Sequence, residues 1–442
     1  MATVALAKSQ NQNVQAKSAG MGFFWLCAFY LVYCARPEDW VHGLSILPLA
    51  KITGIAAILA LLFATGRSKR KFRDLPSESY FLLVMLGVLL VSSLTSQVWK
   101  GGAISRTLDF SKVYVVWVLT FILVTDVPKL RRIIFLQAAS VPVICLLSII
   151  KGHSQPRLEG VLGGIYSNPN DLAFAIVLSL PFCLMFLLTA RGAFRKLLWA
   201  AGMVIMCRAL LMTGSRGGFI TLLVAGVVCM WHFGVKGKRL YLIAVSGLVV
   251  VLLFATAGSS LTDRFSSMWS DPSELDTRQQ KTALESYEQR QFLMQRAMEG
   301  IAQYPILGMG TRNFETYSTV WREVHMTYLQ IAVEGGIVSL VLYLLFIGRG
   351  FGNLRWLLRR KDLSPDLKLF AAALHSSLIG FVVGALFSPE AYQYFPYFAV
   401  AYTSALVAYV KESDRAKSAA PVIDRKVPLP TYSGAGRVPV NT

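Results

Sequence analysis

Arg67-Ser68-Lys69-Arg70-Lys71-Phe72-Arg73 (RSKRKFR) stands between two apolar runs, 44–65 and 79–97. Neither run alternates apolar with polar residues, so neither reads as a strand. Each is close to the ~20 residues that a helix needs to cross a bilayer. A short, strongly basic connection between two such runs belongs on the cytoplasmic side. Outward from this stretch the same alternation recurs. The chain has 442 residues, 55% of them hydrophobic and 15% charged, with mean hydropathy +0.52. Twelve continuous runs are expected to span: 20–36, 44–65, 79–97, 108–125, 131–150, 171–190, 195–213, 216–233, 240–258, 326–348, 366–388 and 394–410. The fold class is an all-α polytopic membrane protein.

Every second connection is basic: Arg67–Arg73, Lys129–Arg132, Arg191–Lys196, Lys236–Arg239 and Arg349–Lys361. An even number of spans with both termini cytoplasmic fits this pattern. A long polar segment, about 259–325, then falls on the outer side between the ninth and tenth spans. The expected organisation is a disordered cytoplasmic tail at 1–19, a membrane domain at 20–410 and a disordered basic cytoplasmic tail at 411–442. Residues 1–19 lack a basic leader with a cleavage site, so the first span is expected to remain as an anchor.

The formal charge of +20 is mostly this orientation signal, drawn to anionic headgroups. No basic soluble domain is present to carry a nucleic-acid partner. All six cysteines (Cys27, Cys34, Cys145, Cys183, Cys207, Cys229) lie within the apolar runs, so disulfides are not expected. The five histidines (His42, His153, His232, His325, His375) show no ligand spacing, and neither HExxH nor an Asp-x-Asp pair occurs. No metal or other cofactor is therefore expected, and without GxSxG no serine nucleophile is either.

Four features meet on the outer face. Tyr166-Ser167-Asn168-Pro169-Asn170-Asp171 precedes the sixth span, where Asn168 and Asn170 read either as helix caps or as substrate contacts. Thr213-Gly214-Ser215-Arg216-Gly217-Gly218 makes a tight turn. There Arg216 either snorkels or joins the helix N-terminal amides in holding an anion. In the long segment, 282–303 reads as a helix with Arg290, Leu293, Met294, Ala297 and Ile301 on one face. Arg290 then shares the packed side and needs an anionic ligand or a carboxylate partner, whereas Arg296 points to water. Finally, His325 opens the tenth span in HMTYLQIAVEGG, with a pKa range suited to proton transfer.

Together and in this order, SNPNDLA (167–173), TGSRGG (213–218), Arg-x3-Met-x2-Ala (290–297), PILGMGTRNF (305–314) and HMTYLQIAVEGG (325–336) resemble the O-antigen ligase and polymerase superfamily of bacterial inner-membrane glycosyltransferases. RPEDWVHGLSILPLAKITG (36–54) also resembles the exosortase-associated O-glycosylation ligase branch. The resemblance implies a GT-C-like fold, a polyprenyl-pyrophosphate-linked glycan donor and an acceptor at the periplasmic face, either lipid A core or protein. It implies neither a nucleotide sugar nor a metal. Arg216, Arg290 and His325 match the family's two arginines and its histidine. Met326 departs from the Asn, Ser or Gln usual after that histidine, and Met294 stands where Trp is usual.

Guanidiniums suit a diphosphate leaving group, whose charge grows as the glycosidic bond breaks. His325 is then the base toward the acceptor hydroxyl, with inversion, and Glu390 is an alternative base or a partner of an arginine. Tyr392, Tyr394, Phe395 and Tyr397 read either as sugar-stacking rings or as an interfacial belt. Three rival readings stand beside the ligase, one of them a purely structural membrane protein, in which an inward-facing Arg290 would have no evident reason. A polymerase of the same superfamily would use the same donor. A transporter would rely on intramembrane charge, for which Asp109 with Lys112, and Arg208, are the available residues.

Overall fold

The computed structural model describes residues 20–64, 70–151, 157–160, 166, 168–255 and 277–419. The expected tail at 1–19, residues 420–442 of the other tail, and the part 259–276 of the polar segment lie outside the described residues. In chain order the long helices are α1 (Gly20–Ala35), α2 (Leu49–Ala64), α3 (Ser77–Thr95), α4 (Lys100–Leu123), α5 (Val127–Lys151), α6 (Pro169–Thr189) and α7 (Ala193–Thr213). There follow α8 (Arg216–Met230), continued by a π-helical turn Trp231–Val235, then α9 (Tyr241–Ala255), α10 (Thr277–Gln303), α11 (Thr327–Arg359), α12 (Pro365–Gly384) and α13 (Phe395–Ala419). Among the described residues the regular structure is helical throughout.

Each of the twelve expected runs falls largely on a helix, and the support for spanning differs among them. Seven helices among the described residues are long and apolar enough to cross a membrane: α3, α5, α6, α7, α8 with its π turn, α11 and α12. The stretches Gly20–Ala35, Leu49–Leu62 and Tyr241–Leu252 are apolar but shorter. Helices α4 and α13 are long yet charged, through Arg106, Asp109 and Lys112 in one and Lys411, Glu412 and Asp414 in the other. Helix α13 runs to Ala419, past residue 411 where the tail is expected to begin.

The tail's first residues stay ordered because they have a task. Arg70, from the basic connection that reads in sequence as an orientation signal, is 2% exposed. Its Nη1 donates to the carbonyls of Phe121 (2.9 Å) and Val124 (2.7 Å), covering the C-terminal end of α4. Its Nε donates to Glu412 at 2.6 Å. Carbonyls in the last turn of a helix have no partner within the helix, so one guanidinium joins α4 to the end of α13.

Helix α11 is broken inside the protein. Gly336 has φ 72° and ψ 178°, and a Cβ there would lie 2.0 Å from the Ile306 carbonyl oxygen. The gap is filled by backbone from the segment before it. Met309 N donates to Val333 O (3.0 Å), Gly310 N to Glu334 O (2.9 Å) and Ile337 N to Pro305 O (2.9 Å). Interrupted backbone at membrane depth is tolerated when protein groups satisfy it. The break docks the PILGMG strip onto α11 and so fixes everything that follows it, including Arg312.

Candidate active site

The starts of α6, α8 and α11 and the connection after α12 lie at one end of the bundle. Asn168 caps α6, its side-chain oxygen accepting from Asn170 N at 2.9 Å. Asn170 in turn accepts from Ser215 Oγ (2.8 Å) and Arg157 Nη2 (3.2 Å), while Arg157 Nε donates to Thr213 O (2.8 Å). Both amide oxygens are thus used to hold the α6 start against the α7–α8 turn.

The composition of that turn follows from its geometry. Gly214 is left-handed (φ 57°) and ends α7, and Ser215 caps α8 by accepting from Gly218 N at 3.1 Å. A Cβ on Gly217 would meet Phe387 at 2.6 Å, and one on Gly218 would meet Ala173 at 2.7 Å. The glycines serve close helix packing. Arg216 is left exposed at the first position of α8.

Leu293, Ala297 and Gly300 form the buried face of α10, packed with Met309, Phe314, Val324 and Val333. Three expectations about this helix are corrected. Met294 is 48% exposed, and Arg290 is exposed rather than packed. Arg296, expected in water, is half-buried: its guanidinium sits 4.6 Å over the Tyr317 ring and donates to Glu299 (2.6 Å) and Tyr317 O (3.2 Å). The physical reason is the segment 314–317, which folds back along one flank of α10 and covers Arg296. Arg290, nearly two turns earlier, instead comes within electrostatic reach of Arg216. Partial desolvation, and then the Arg216 charge, hold its pKa below the usual guanidinium value.

His325 is half-buried just before α11, with Nδ1 3.0 Å from the Glu323 carbonyl oxygen. Burial lowers its pKa, and the charges of Arg290 and Arg322 lower it further, against the raising effect of the Glu323 backbone bond. A neutral ring that donates through Nδ1 keeps a lone pair on Nε2.

Glu390 is 3% exposed, accepts from Ser388 Oγ at 2.8 Å and is held by Thr327 Oγ1, to which its backbone N donates at 2.9 Å. Burial raises its pKa well above the carboxylate range, and the charges of Asp171 and Glu323 add to this. The aromatics beside it form an internal cluster in place of a belt or an open sugar platform. Tyr394 stacks on Tyr33 with centroids 4.5 Å apart, Tyr392 donates to Glu334 at 2.6 Å, and Tyr397 donates to Ala391 O at 2.7 Å.

Sequence reasoning passed over four further groups. Arg312 stands at φ 54°, with Nε 3.8 Å from Glu323 Oε1 and its guanidinium 5.8 Å from the Tyr392 ring. Burial would lower its pKa, but Glu323, Glu334 and Glu315 outweigh that and raise it. Glu323 is pushed up to about 8, first by burial and then by Glu315 and Glu334, against the lowering charge of Arg312. Glu334 is 1% exposed and accepts from Arg312 N at 2.8 Å. Asp171 bonds Ser388 and feels Arg312. Asp171, Arg312 and Glu334 each lie in a motif stretch singled out in the sequence, SNPNDLA, PILGMGTRNF and HMTYLQIAVEGG, but a left-handed arginine and its partners cannot be read from composition.

The site therefore has two poles. In the basic one Arg290 acts on His325 and feels Arg216, and in the acidic one Glu323, Glu334 and Glu315 act on Arg312, whose charge also reaches Asp171. The backbone from Glu323 to His325 joins them. Among the described residues no group of three or more His, Cys, Asp or Glu is arranged to hold a metal ion.

Residues 201–344 match the O-Antigen ligase family model. This ligase-like region spans α7 to the first half of α11 and contains Arg216, Arg290, Arg312, Glu323, His325 and Glu334. It leaves out Asn168, Asn170 and Asp171 at the start of α6, and Glu390 in the connection between α12 and α13. No curated protein matches the chain.

Proposed function

We propose that the chain is an O-antigen ligase-like glycosyltransferase that moves a glycan from a polyprenyl-pyrophosphate carrier to a hydroxyl acceptor at the periplasmic face of the bacterial inner membrane. The reading is supported by the electrostatic reach of Arg216 on Arg290 and of Arg290 on His325, all three lying within the region that matches the ligase family. Two like charges within reach of each other cost free energy that a bound diphosphate would offset.

In this reading Arg216 and Arg290 bind the diphosphate and stabilise it more as the bond to the anomeric carbon breaks. The acceptor oxygen attacks the opposite face of that carbon, and His325 Nε2 takes the hydroxyl proton. The diphosphate leaves with the bonding electron pair, and the configuration inverts. The reading routes no step through a metal, because the guanidiniums supply the charge. Of the two candidate bases, His325 is favoured over Glu390. The histidine is half-buried with its pKa lowered by burial and two arginines, so Nε2 is available to take a proton, whereas Glu390 is 3% exposed, already accepts from Ser388 Oγ and has its pKa raised by burial.

The test is reconstituted protein supplied with a polyprenyl-pyrophosphate glycan and candidate acceptors. Transfer should release free carrier diphosphate, and Arg290→Ala should reduce that release by about 100-fold or more while the protein stays folded. Solute flux without transfer to any acceptor would replace this reading with transport.

A further inference from the structure

At the end of the bundle opposite the candidate active site, a cavity of about 1180 Å³ opens between α5, α7 and the ends of α6 and α12. Five arginines converge on it from four places: Arg131 and Arg132 near the start of α5, Arg191 before α7, Arg195 on α7, and Arg239 between α8 and α9. Asp366 is the single carboxylate on its lining. Among the described residues none of the five arginines makes an ion pair with a carboxylate.

The rest of the wall is apolar and rigid. Trp199 stacks on Phe186 with centroids 4.9 Å apart, and Phe135 meets both edge-on at 5.7 and 5.6 Å. Gly202 lets α7 approach Pro142 of α5, where a Cβ would sit at 3.3 Å. Arg131 is already oriented, donating to Thr189 Oγ1 at 2.9 Å with its guanidinium 5.6 Å from the Phe186 ring. Phe135 is 44% exposed and Leu198 55%, so the apolar wall continues onto the surface that faces the bilayer.

We infer that this cavity is a binding site for an anionic phospholipid of the adjacent leaflet, with the phosphate among the arginines and an acyl chain along the aromatic wall. The charge excess selects an anion, and guanidiniums suit phosphate bidentately. The continuous apolar wall asks for a ligand that carries a hydrocarbon chain as well, which a free phosphate lacks. Basic pockets between membrane helices are suited to phosphate headgroups in this way. The inference is independent of the catalytic reading, since it shares no residue with that site.

The experiment is native mass spectrometry of the purified full chain in detergent, titrated separately with phosphatidylglycerol, with phosphatidylcholine and with a polyprenyl diphosphate. Phosphatidylglycerol should be retained in preference to phosphatidylcholine. The pair Arg195→Gln with Arg239→Gln should weaken its retention on the order of tenfold. Arg355→Gln with Arg359→Gln, which removes the same charge at the same end of the molecule, should leave retention unchanged. Arg195 is exposed, so Arg195→Gln alone is a second variant that folding does not depend on, and it should show part of the loss. Equal loss in the Arg355 and Arg359 pair would reduce the effect to diffuse charge attraction and overturn the site. Equal retention of phosphatidylcholine would do the same, and preference for the polyprenyl diphosphate would replace the phospholipid as occupant.

Discussion

His325 shows how a single side chain is prepared by its surroundings. Its Nδ1 is tied to the Glu323 carbonyl, and burial with two nearby arginines keeps the ring neutral. Transfer should therefore rise with pH through a pKa below the usual histidine value and level off by neutrality, when initial rates are followed across pH. His325→Asn should lower kcat by about 10²–10⁴-fold, and a variant within a factor of a few of the parent would end the assignment. Glu323 gives a second prediction, this time on stability. Its carboxyl titrates near 8 in the folded protein, above the ordinary value. The folded state thus binds the proton more tightly, and stability present at acid pH is lost as pH rises through about 8. Glu323→Gln should flatten that decline in thermal unfolding midpoints measured between pH 5 and pH 9, and an unchanged slope would show that other groups cause it.

At the scale of the element, the decisive feature is the interruption of α11. Gly336 is left-handed, and its α-carbon sits against the Pro305–Leu307 backbone. Gly336→Ala combines backbone strain with a direct clash. It should cost more than the ~1–3 kcal/mol typical of strain alone, read as a lowered thermal midpoint together with lost transfer activity. A full-strength Gly336→Ala protein would mean that the docked strip is dispensable. The α10 helix carries a related lesson. Its 3.6-residue period correctly brings Leu293 and Ala297 to the packed face, but periodicity is blind to what lies on the flank. The 314–317 turn buries Arg296, and only the approach of α8 gives Arg290 its neighbour.

For the whole molecule, Arg70 and Glu412 join the first basic connection to the last helix across a sequence separation of 342 residues. Arg70 is buried but Glu412 is 41% exposed, so the loss on Arg70→Ala falls mainly on the two helix-end carbonyls that lose their donor; it should cost ~1–3 kcal/mol in unfolding measurements. A chain ended after Val410 should be destabilised similarly, because it lacks Glu412 and Asp414, the partners of Arg70 and Arg360. A chain ended after Ala419 should retain the parent's thermal midpoint. Equal stability of the two truncations would remove α13's extension from the account.

Apolar run length and the rhythm of basic connections determined, from sequence alone, that this is a polytopic helical membrane protein, because burying a peptide backbone in hydrocarbon leaves few other solutions. The same reading singled out Arg216 and His325 as candidates because polar groups at the starts of apolar helices are conspicuous, and Arg290 through a helix-face argument that burial does not support. Which groups would stand beside them was decided only by tertiary structure. Arg312, Glu323, Glu334 and Asp171 come from separate segments, and they meet because a glycine break in α11 admits a docked loop and the α12–α13 connection closes over Thr327. Proton affinity and charge pairing depend on distance and burial, and neither quantity is written in the order of residues along the chain.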